Sequence, residues 1–251
     1  MANQKGIIKL KGTMGDITFY KSKEGYMARE KGGIDVKRFR TDPAYARVRE
    51  NAQEFGHAGR IGALLRRAFR PLTIGVSDAR STSRLVKKLM AVIRTDAINK
   101  RGERLVAEGD LMLLNNFEFN VKTSISQILN SKYTVDWDRA TGELKLVFSP
   151  FVSKEGVAVP KGATHYRILT GAAAVDFTTE THELSLDQSD IYPWDLTQIP
   201  DLELGATLTP NSQNPVFAMM AVVFYQQVNG EHYLLNNGMH NVSSIVLIDK
   251  P

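Results

Sequence analysis

The amino-acid sequence predicts an α+β protein with a basic region of strands and helices in residues 1–110 and an antiparallel β-sandwich in residues 111–251. Three observations predict this class. Apolar and polar residues alternate near the N-terminus, helical periodicity follows from about residue 41, and short alternating segments return after residue 111. Regular turns between these late segments favour a sandwich, with an immunoglobulin-like topology as one option.

The first element is an N-terminal sheet. The segment GIIKLKGTMGDITFYKSKEGYMAREKGG alternates between glycine-containing turns, and its apolar positions fall in three pairs: Ile8 with Leu10, Ile17 with Phe19, and Tyr26 with Ala28. This pattern predicts a three-stranded antiparallel meander with one apolar face. Because a sheet this small is not stable alone, we expect the helix that follows to cover that face.

A long arginine-rich helix is predicted over residues 41–69. Thr41 or Asp42 can cap its free amides, Pro43 suits the first turn, and Pro71 ends the run. Plotted at about 100° per residue, the apolar side chains form one stripe. Its members are Val48, Phe55, Ala58, Ile61, Leu64, Leu65 and Phe69.

A second helix is predicted in SDARSTSRLVKKLMAVIRTDAIN, with Ser77 or Asp78 as its cap. Its buried stripe would contain Leu85, Leu89, Val92 and Ile93. The first helix carries three closely spaced glycines, which remove side-chain bulk and let another backbone approach. We therefore expect an antiparallel helical hairpin that crosses at Gly56, Gly59 and Gly62.

Both helices carry basic residues opposite their apolar stripes. Residues 1–110 hold 24 Lys and Arg against 12 Asp and Glu, whereas residues 111–251 hold 8 against 15. This asymmetry predicts an anionic partner for the first region, or contact between halves or subunits; a solvated basic surface is the alternative. The predicted partner-binding face consists of Arg49, Arg60, Arg67, Arg80, Arg84, Lys87 and Arg94.

The C-terminal region is a series of predicted strands. KYTVDWDRATGELKLVF forms one hairpin, and THYRILTGAAAVDF pairs with THELSLDQ. PVFAMMAVVFYQQVNGEHYLLNNG has Asn229–Gly230 between two apolar runs, the strongest hairpin signal in the chain. NVSSIVLID forms the last strand, and DQSDIYPWDLTQIPDLELG is predicted to be a long exposed loop.

Two acidic–aromatic groups are candidate ligand sites. In the long loop, Tyr192 and Trp194 with Asp195 could hold a sugar or a basic peptide, although Trp194 could instead plug the sandwich. Asp136 and Asp138 would share one face of a strand, where they could bind a cation or act as an acid–base pair. The alternative is that the nearby Arg139 and Lys145 neutralise this second pair.

Recognisable catalytic motifs are missing from the sequence. The chain has no cysteine, its five histidines lack the paired spacing of a zinc protease, and neither a G-x-S-x-G elbow nor a phosphate-binding glycine loop occurs. We therefore expect no catalytic residues, cofactor or metal. The chain has no signal-peptide-like or membrane-spanning apolar run, so we expect no membrane insertion and a cytoplasmic location as synthesised, with export inside a particle as the alternative.

GIIKLKGTMGDITFYKSKEGYMAREKGG followed by TDPAYARVRENAQEFGHAG resembles a family of bacterial proteins, common in Bacteroidota, that carries a domain of unknown function. In that family a hairpin leads to an arginine-containing helix and then to a sandwich-like half. The closing FYQQVNGEHYLLNNG is similar to the family's ending, so the resemblance covers nearly the whole chain. The resemblance identifies no catalytic residues in this chain, because none is established for the family.

Some contractile, phage-tail-like injection particles of such bacteria carry small cargo proteins, and the resemblance is compatible with that role. We expect a non-enzymatic interaction or structural protein, a component or cargo of such an assembly, that docks on an acidic protein surface or on itself through its basic face. Nucleic-acid binding through the same rows is the alternative, although no known nucleic-acid module is recognisable. A carbohydrate-binding or hydrolytic domain around Trp137 or Trp194 is a weaker alternative.

Overall fold

The computed structural model describes residues 2–30, 36–76 and 78–251, and it has the α+β architecture that the sequence predicts. The chain divides into two compact units, Met1–Arg49 and Glu50–Pro251. This division differs from the boundary predicted after residue 110. The reason is that the two long helices bury their apolar side chains in the same core as the C-terminal strands.

The first unit is a small antiparallel sheet followed by short helices. Its strands lie in the order β1-β4-β3-β2, and helix α2 begins in this unit and continues into the second. The elements are β1 Ala2–Asn3, β2 Gly12–Met14, β3 Ile17–Ser22, β4 Gly25–Glu30, α1 Val36–Thr41, a 3-10 turn Pro43–Tyr45 and α2 Ala46–Ala68.

The sheet confirms the predicted β3–β4 hairpin but not the predicted first strand. Ile8 and Leu10 lie outside any strand. In their place β2 pairs with β3, and β1 adds a fourth strand beside β4. The side chain of Gln4 explains this difference, because its Oε1 accepts the Leu10 amide at 2.8 Å and its Nε2 donates to the Leu10 carbonyl at 3.3 Å. These bonds close the intervening residues into a bend. The described residues of this unit include no buried side chain.

The start of the long helix follows the predicted capping chemistry in part. Asp42, rather than Thr41, accepts the Ala44 amide at 2.9 Å and caps the 3-10 turn at Pro43. This amide and the Arg38 side chain lower the pKa of Asp42. The continuous helix begins four residues later than Asp42, at Ala46.

The second unit contains the remaining elements in chain order. The helical segments are α3 Arg70–Thr73, α4 Ser81–Arg94, α5 Ile125–Ile128 and α6 Ser153–Gly156, with 3-10 turns at Leu111–Leu114 and Leu235–Gly238. The strands are β5 Tyr133–Asp138, β6 Glu143–Phe148, β7 Phe151–Val152, β8 His165–Asp176, β9 Thr181–Gln188, β10 Tyr192–Pro193, β11 Gln198–Ile199, β12 Leu202–Thr207, β13 Val216–Val228, β14 Glu231–Leu234 and β15 Val242–Asp249.

This unit has three layers. Its central antiparallel sheet is built on β8 and β13; β9 and β10 pair with β8, and β14 and β15 pair with β13. One face of that sheet packs against helices α2, α3 and α4, and the other packs against the three-stranded sheet β12-β6-β5. The predicted β-sandwich is therefore present, and helices cover the outer side of its larger sheet.

Strand β13 shows why the central sheet is buried on both faces. Phe217 and Met219 belong to the helix-facing core, whereas the alternate residues Ala218 and Met220 belong to the cores that face the small sheet. A strand covered on both sides reads as a continuous apolar run, as PVFAMMAVVF does. Its turn to β14 uses Asn229 and Gly230, both with positive φ, as predicted.

The helix-facing core confirms most of the predicted apolar stripes. All four predicted α4 side chains are buried, and so are five of the seven in the first helix. Val48 and Phe55, near the start of α2, remain 52% and 58% exposed. The buried residues are Ala58, Ile61, Leu64, Leu65 and Phe69 in or just after α2, and Leu85, Leu89, Val92 and Ile93 in α4.

Only one of the three α2 glycines lies at the predicted helix contact. A Cβ on Gly62 would meet Leu89 and Val86 of α4 at 3.3–3.4 Å, whereas Gly56 and Gly59 face open space. At the start of α4, Asp78 accepts the Arg80 amide but does not cap the helix, and Ser77 lies outside the described residues.

Segment 187–205 contains short strands rather than one irregular loop. It includes β10, β11 and the start of β12. Side chains of β9 also occupy the outer edge of β12, where Asp187 accepts the Gly205 amide at 2.9 Å and Ser185 accepts the Thr207 amide at 3.1 Å. The edge is thereby closed to further strand pairing.

Candidate functional site: a cationic helix surface

The seven basic residues predicted to form one face have different environments. Arg49 lies in the first unit and donates to the carbonyl oxygens of Phe39 at 2.6 Å and Asp42 at 3.0 Å. These bonds hold the turn between α1 and α2. The structure therefore gives Arg49 an internal role, whereas the other six residues lie in the second unit.

Arg60 and Arg67 lie on the same side of α2, as their spacing predicts, and both contact Glu180 in the turn between β8 and β9. Arg60 Nε lies 3.3 Å from Glu180 Oε1, and Arg67 donates to the Glu180 carbonyl oxygen at 3.1 Å. Both arginines are exposed. Their guanidinium groups therefore lie at the surface and contact the acidic half of their own chain through Glu180.

Arg84 is the most enclosed basic residue of α4. Its guanidinium contacts Asp78 Oδ2 at 2.5 Å and lies over the Phe117 ring, 5.2 Å from the centroid. Burial raises the pKa of Asp78, but the hydrogen bonds from the Arg80 amide and from Arg84 outweigh it, and the pKa is lowered. The Arg84 charge is therefore neutralised locally.

The remaining cations at α4 are exposed. Arg80 precedes the helix, and Lys87, Lys88 and Arg94 lie along it. None of the four forms a salt bridge within the described ranges 2–30, 36–76 and 78–251. The helix sequence STSRLVKKLMAVIR contains no acidic residue. We call Arg80, Lys87, Lys88 and Arg94 the α4 cationic surface; Lys88 was not among the residues predicted from the sequence.

A groove between α2 and α4 adjoins this surface. It has a volume of about 660 Å³ and combines apolar side chains with the cations of α4. Phe55, which the sequence predicts to be buried, lies here with Val86 and Met90, beside Lys87 and Arg94. An apolar groove flanked by cations suits a partner that presents both apolar and acidic side chains.

On the other side of α4, Glu118 borders a second groove of about 620 Å³ with Arg84, Lys87 and Lys88. Burial raises the pKa of Glu118 to about 7, although the Ile125 amide, 3.1 Å from Oε1, favours the ionised form. This carboxyl group changes charge near neutral pH beside the α4 cationic surface. No motif around NNFEFN signals its burial, which arises from the bridge between Glu118 and Ser244.

The predicted ligand loop is held by contacts within the protein. Trp194 is partly buried and donates from Nε1 to the Val157 carbonyl oxygen at 2.9 Å, while Lys154 lies over its ring. Tyr192 is also partly buried, and Asp195 accepts the Thr197 amide at 2.8 Å. Trp194 thus packs against the core of the sandwich, which favours the structural alternative over a ligand site.

Asp136 and Asp138 point outward from β5, on one face as predicted. Of the two cations predicted to neutralise them, Arg139 instead binds Asp249 at 2.6 Å, and Asp249 also accepts Trp137 Nε1 at 2.8 Å. The other, Lys145, lies opposite Asp136 across β5 and β6. The two aspartates face solvent on the small sheet.

The histidines do not form one cluster in the described part of the chain. His57 Nε2 accepts the Val106 amide at 3.1 Å, and burial lowers the pKa of His57. The rings of His165 and His232 lie 4.5 Å apart. Within the described residues, no group of three or more His, Cys, Asp or Glu side chains could hold a metal ion. In the same residues, no helix is both long and apolar enough to span a membrane.

No protein-family model, curated protein or solved structure matches this chain.

Proposed function

We propose that this protein is a non-enzymatic interaction protein that docks on an acidic protein surface through the α4 cationic surface. The observation that carries the proposal is the row Lys87, Lys88 and Arg94 on an exposed helix face without a carboxylate partner in the described part of the chain. An unpaired row of like charges repels itself, and an anionic partner removes that repulsion. The adjoining groove supplies apolar contact area for such a partner.

The choice of a protein partner over nucleic acid rests on the surroundings of the row. Side chains such as Phe55 and Met90 give the groove an apolar floor. Phosphate backbones are bound chiefly by charge, whereas protein interfaces combine an apolar centre with a polar rim. Nucleic-acid binding by the same cations stays the second candidate.

Fluorescence anisotropy tests the proposal. The two labelled probes are a polyglutamate peptide and a DNA duplex of about 20 base pairs. The variant Lys87→Ala/Lys88→Ala should weaken polyglutamate binding about tenfold, or about 1.4 kcal/mol. The matched control, Lys122→Ala/Lys161→Ala, removes two exposed lysines outside α4 and should change affinity less than about twofold.

Equal weakening by both double variants would show that binding follows net charge rather than the α4 cationic surface, and would overturn the proposal. Tighter binding of the duplex than of polyglutamate at about 0.15 M salt would favour the nucleic-acid alternative. The resemblance to the Bacteroidota family adds a narrower proposal, that the acidic partner belongs to a contractile injection assembly. Co-purification with such a particle, lost in Lys87→Ala/Lys88→Ala, tests that role.

A further inference from the structure

The three-stranded sheet β12-β6-β5 has an outer face that nothing in the described chain covers. Alternate residues of each strand point into its core, and the others are exposed or partly exposed. The outward residues include four carboxylates and one lysine. The full set is Thr134, Asp136, Asp138, Glu143, Lys145, Val147, Glu203, Gly205 and Thr207, which we call the acidic sheet face.

The strand register concentrates negative charge on this face. Asp138 lies directly opposite Glu143 across β5 and β6. Like charges in opposed positions destabilise a sheet. The face's one salt bridge in the described residues joins Lys145 to Glu143 at 3.8 Å, and Lys145 also lies opposite Asp136 in the register. One lysine among four carboxylates leaves the face with a net negative charge. This arrangement favours a cationic partner that covers the face.

The layer order places the two charged surfaces on opposite sides of one compact unit. Helix α4 packs on one face of the central sheet, and the small sheet packs on the other. The α4 cationic surface and the acidic sheet face are therefore complementary but cannot meet within a chain. They can meet between two copies.

We propose that the acidic partner of the α4 cationic surface is the acidic sheet face of a second copy of this chain. The inference rests on the proposed function and names its partner. Because the two surfaces differ, the contact is head-to-tail, and each copy has one surface free to bind a further copy.

The size of the acidic sheet face limits the strength of this contact. Three strands of six residues span roughly 14 by 20 Å at ordinary strand spacing and rise. This is less than half of the roughly 800 Å² per partner in a standard stable interface. We therefore expect association that is weak, depends on concentration and is lost at high salt.

Sedimentation velocity of the full chain tests the inference. The measurements are made at low salt over increasing protein concentration, with the wild type and two charge-reversal variants. Lys87→Glu/Lys88→Glu removes the cationic surface, and Asp136→Lys/Glu203→Lys removes the acidic face. Each variant alone should sediment as a monomer. Their equimolar mixture should associate, because the unchanged α4 cationic surface of the second variant meets the unchanged acidic sheet face of the first. The two reversed surfaces are also opposite in charge. One chain that carries all four substitutions should likewise associate with itself.

A matched control is Lys122→Glu/Lys161→Glu, which changes net charge equally at exposed sites outside both surfaces. It should associate as the wild type does. Circular dichroism establishes that every variant is folded. If the fourfold variant associates again, the two surfaces must contact each other. Substitutions that only disturbed the fold would not compensate for one another.

A wild-type chain that stays monomeric at low salt and high concentration would overturn the inference. So would a fourfold variant that fails to associate while folded. Either result leaves the proposed function to be judged separately by polyglutamate binding, because that probe contacts the α4 cationic surface without involving the acidic sheet face.

Discussion

Replacing Asp96 by alanine is expected to destabilise the protein more than any exposed Asp→Ala change nearby. Asp96 follows α4 and is 4% exposed. Its carboxylate accepts four hydrogen bonds at 2.8–3.0 Å, from the amides of Ile98, Asn99 and Leu105 and from the Asn99 side chain. These bonds fix the loop that follows the cationic helix.

The magnitude follows from the donors that would lose their acceptor. A hydrogen bond to a charged group contributes about 1.5–3 kcal/mol, and buried donors without partners carry a further cost. The four bonds are not additive, since the Asn99 side chain can turn towards water. We expect Asp96→Ala to cost about 3–5 kcal/mol, a large part of an ordinary stability of about 5–15 kcal/mol.

The effect should also depend on pH in one direction. Burial raises the pKa of Asp96, but the hydrogen bonds from Asn99, Leu105 and Ile98 outweigh it and hold the pKa well below its ordinary range. Because the folded-state pKa lies below the unfolded value of about 3.9, the stabilisation is present above that value and is lost as pH falls further. The difference between wild type and Asp96→Ala should therefore shrink below about pH 4.

Urea denaturation followed by circular dichroism measures both effects. Asp110→Ala is the control, because exposed Asp110 accepts one amide, that of Met112 at 3.0 Å, and its loss should cost about 1 kcal/mol. An Asp96→Ala cost no greater than that of Asp110→Ala would refute the reasoning. A difference that persists unchanged to about pH 3 would refute the assigned pKa direction.

Three further predictions concern stability. Gly56→Ala and Gly59→Ala should each stabilise α2 by about 0.5–1 kcal/mol, because an added Cβ meets open space; chemical denaturation measures this, and a loss would contradict it. Gly142→Ala should cost more than about 2 kcal/mol by the same assay, since φ is +75° and the Cβ would overlap the Leu208 carbonyl oxygen. Glu118→Gln should raise the melting temperature more at about pH 8 than at about pH 5. The folded-state pKa of Glu118 is about 7 and exceeds the unfolded value, so the wild type loses stability as pH rises towards 7. An equal effect of the substitution at both pH values would contradict this.

The sequence predicts the strands and their hairpins better than it predicts which elements pack against the sheets. Period-two alternation and the Asn229–Gly230 turn locate the β5–β6, β8–β9 and β13–β14 hairpins, because each pairing is local. The helix-facing side of the central sheet was not predicted. A strand buried on both sides carries no alternation that would reveal what covers its second face.

The helices show the limit of periodicity more directly. The α2 stripe is correct from Ala58 onwards, but Phe55 is exposed because α2 borders an open groove with α4 there. Spacing identifies the side of a helix that a residue occupies, but it does not show how far the neighbouring element extends.

The basic residues were located on helices from sequence, but their partners were not. Arg60 and Arg67 share Glu180, which lies more than 100 positions away in the chain. Arg84 is neutralised by Asp78. Long-range contacts of this kind leave no local pattern, so only the structure separates the engaged cations from the α4 cationic surface.

The central claim is that Lys87 and Lys88 dock on carboxylates of another chain. Zero-length carbodiimide cross-linking tests it most directly. Unlabelled and ¹⁵N-labelled protein are mixed in equal amounts, and mass spectrometry identifies the cross-linked peptides. The account predicts mixed-label cross-links from Lys87 and Lys88 to Asp136, Asp138 or Glu203, with few from Lys122 or Lys161. Mixed-label cross-links spread evenly over all four lysines, or absent from Lys87 and Lys88, would contradict it.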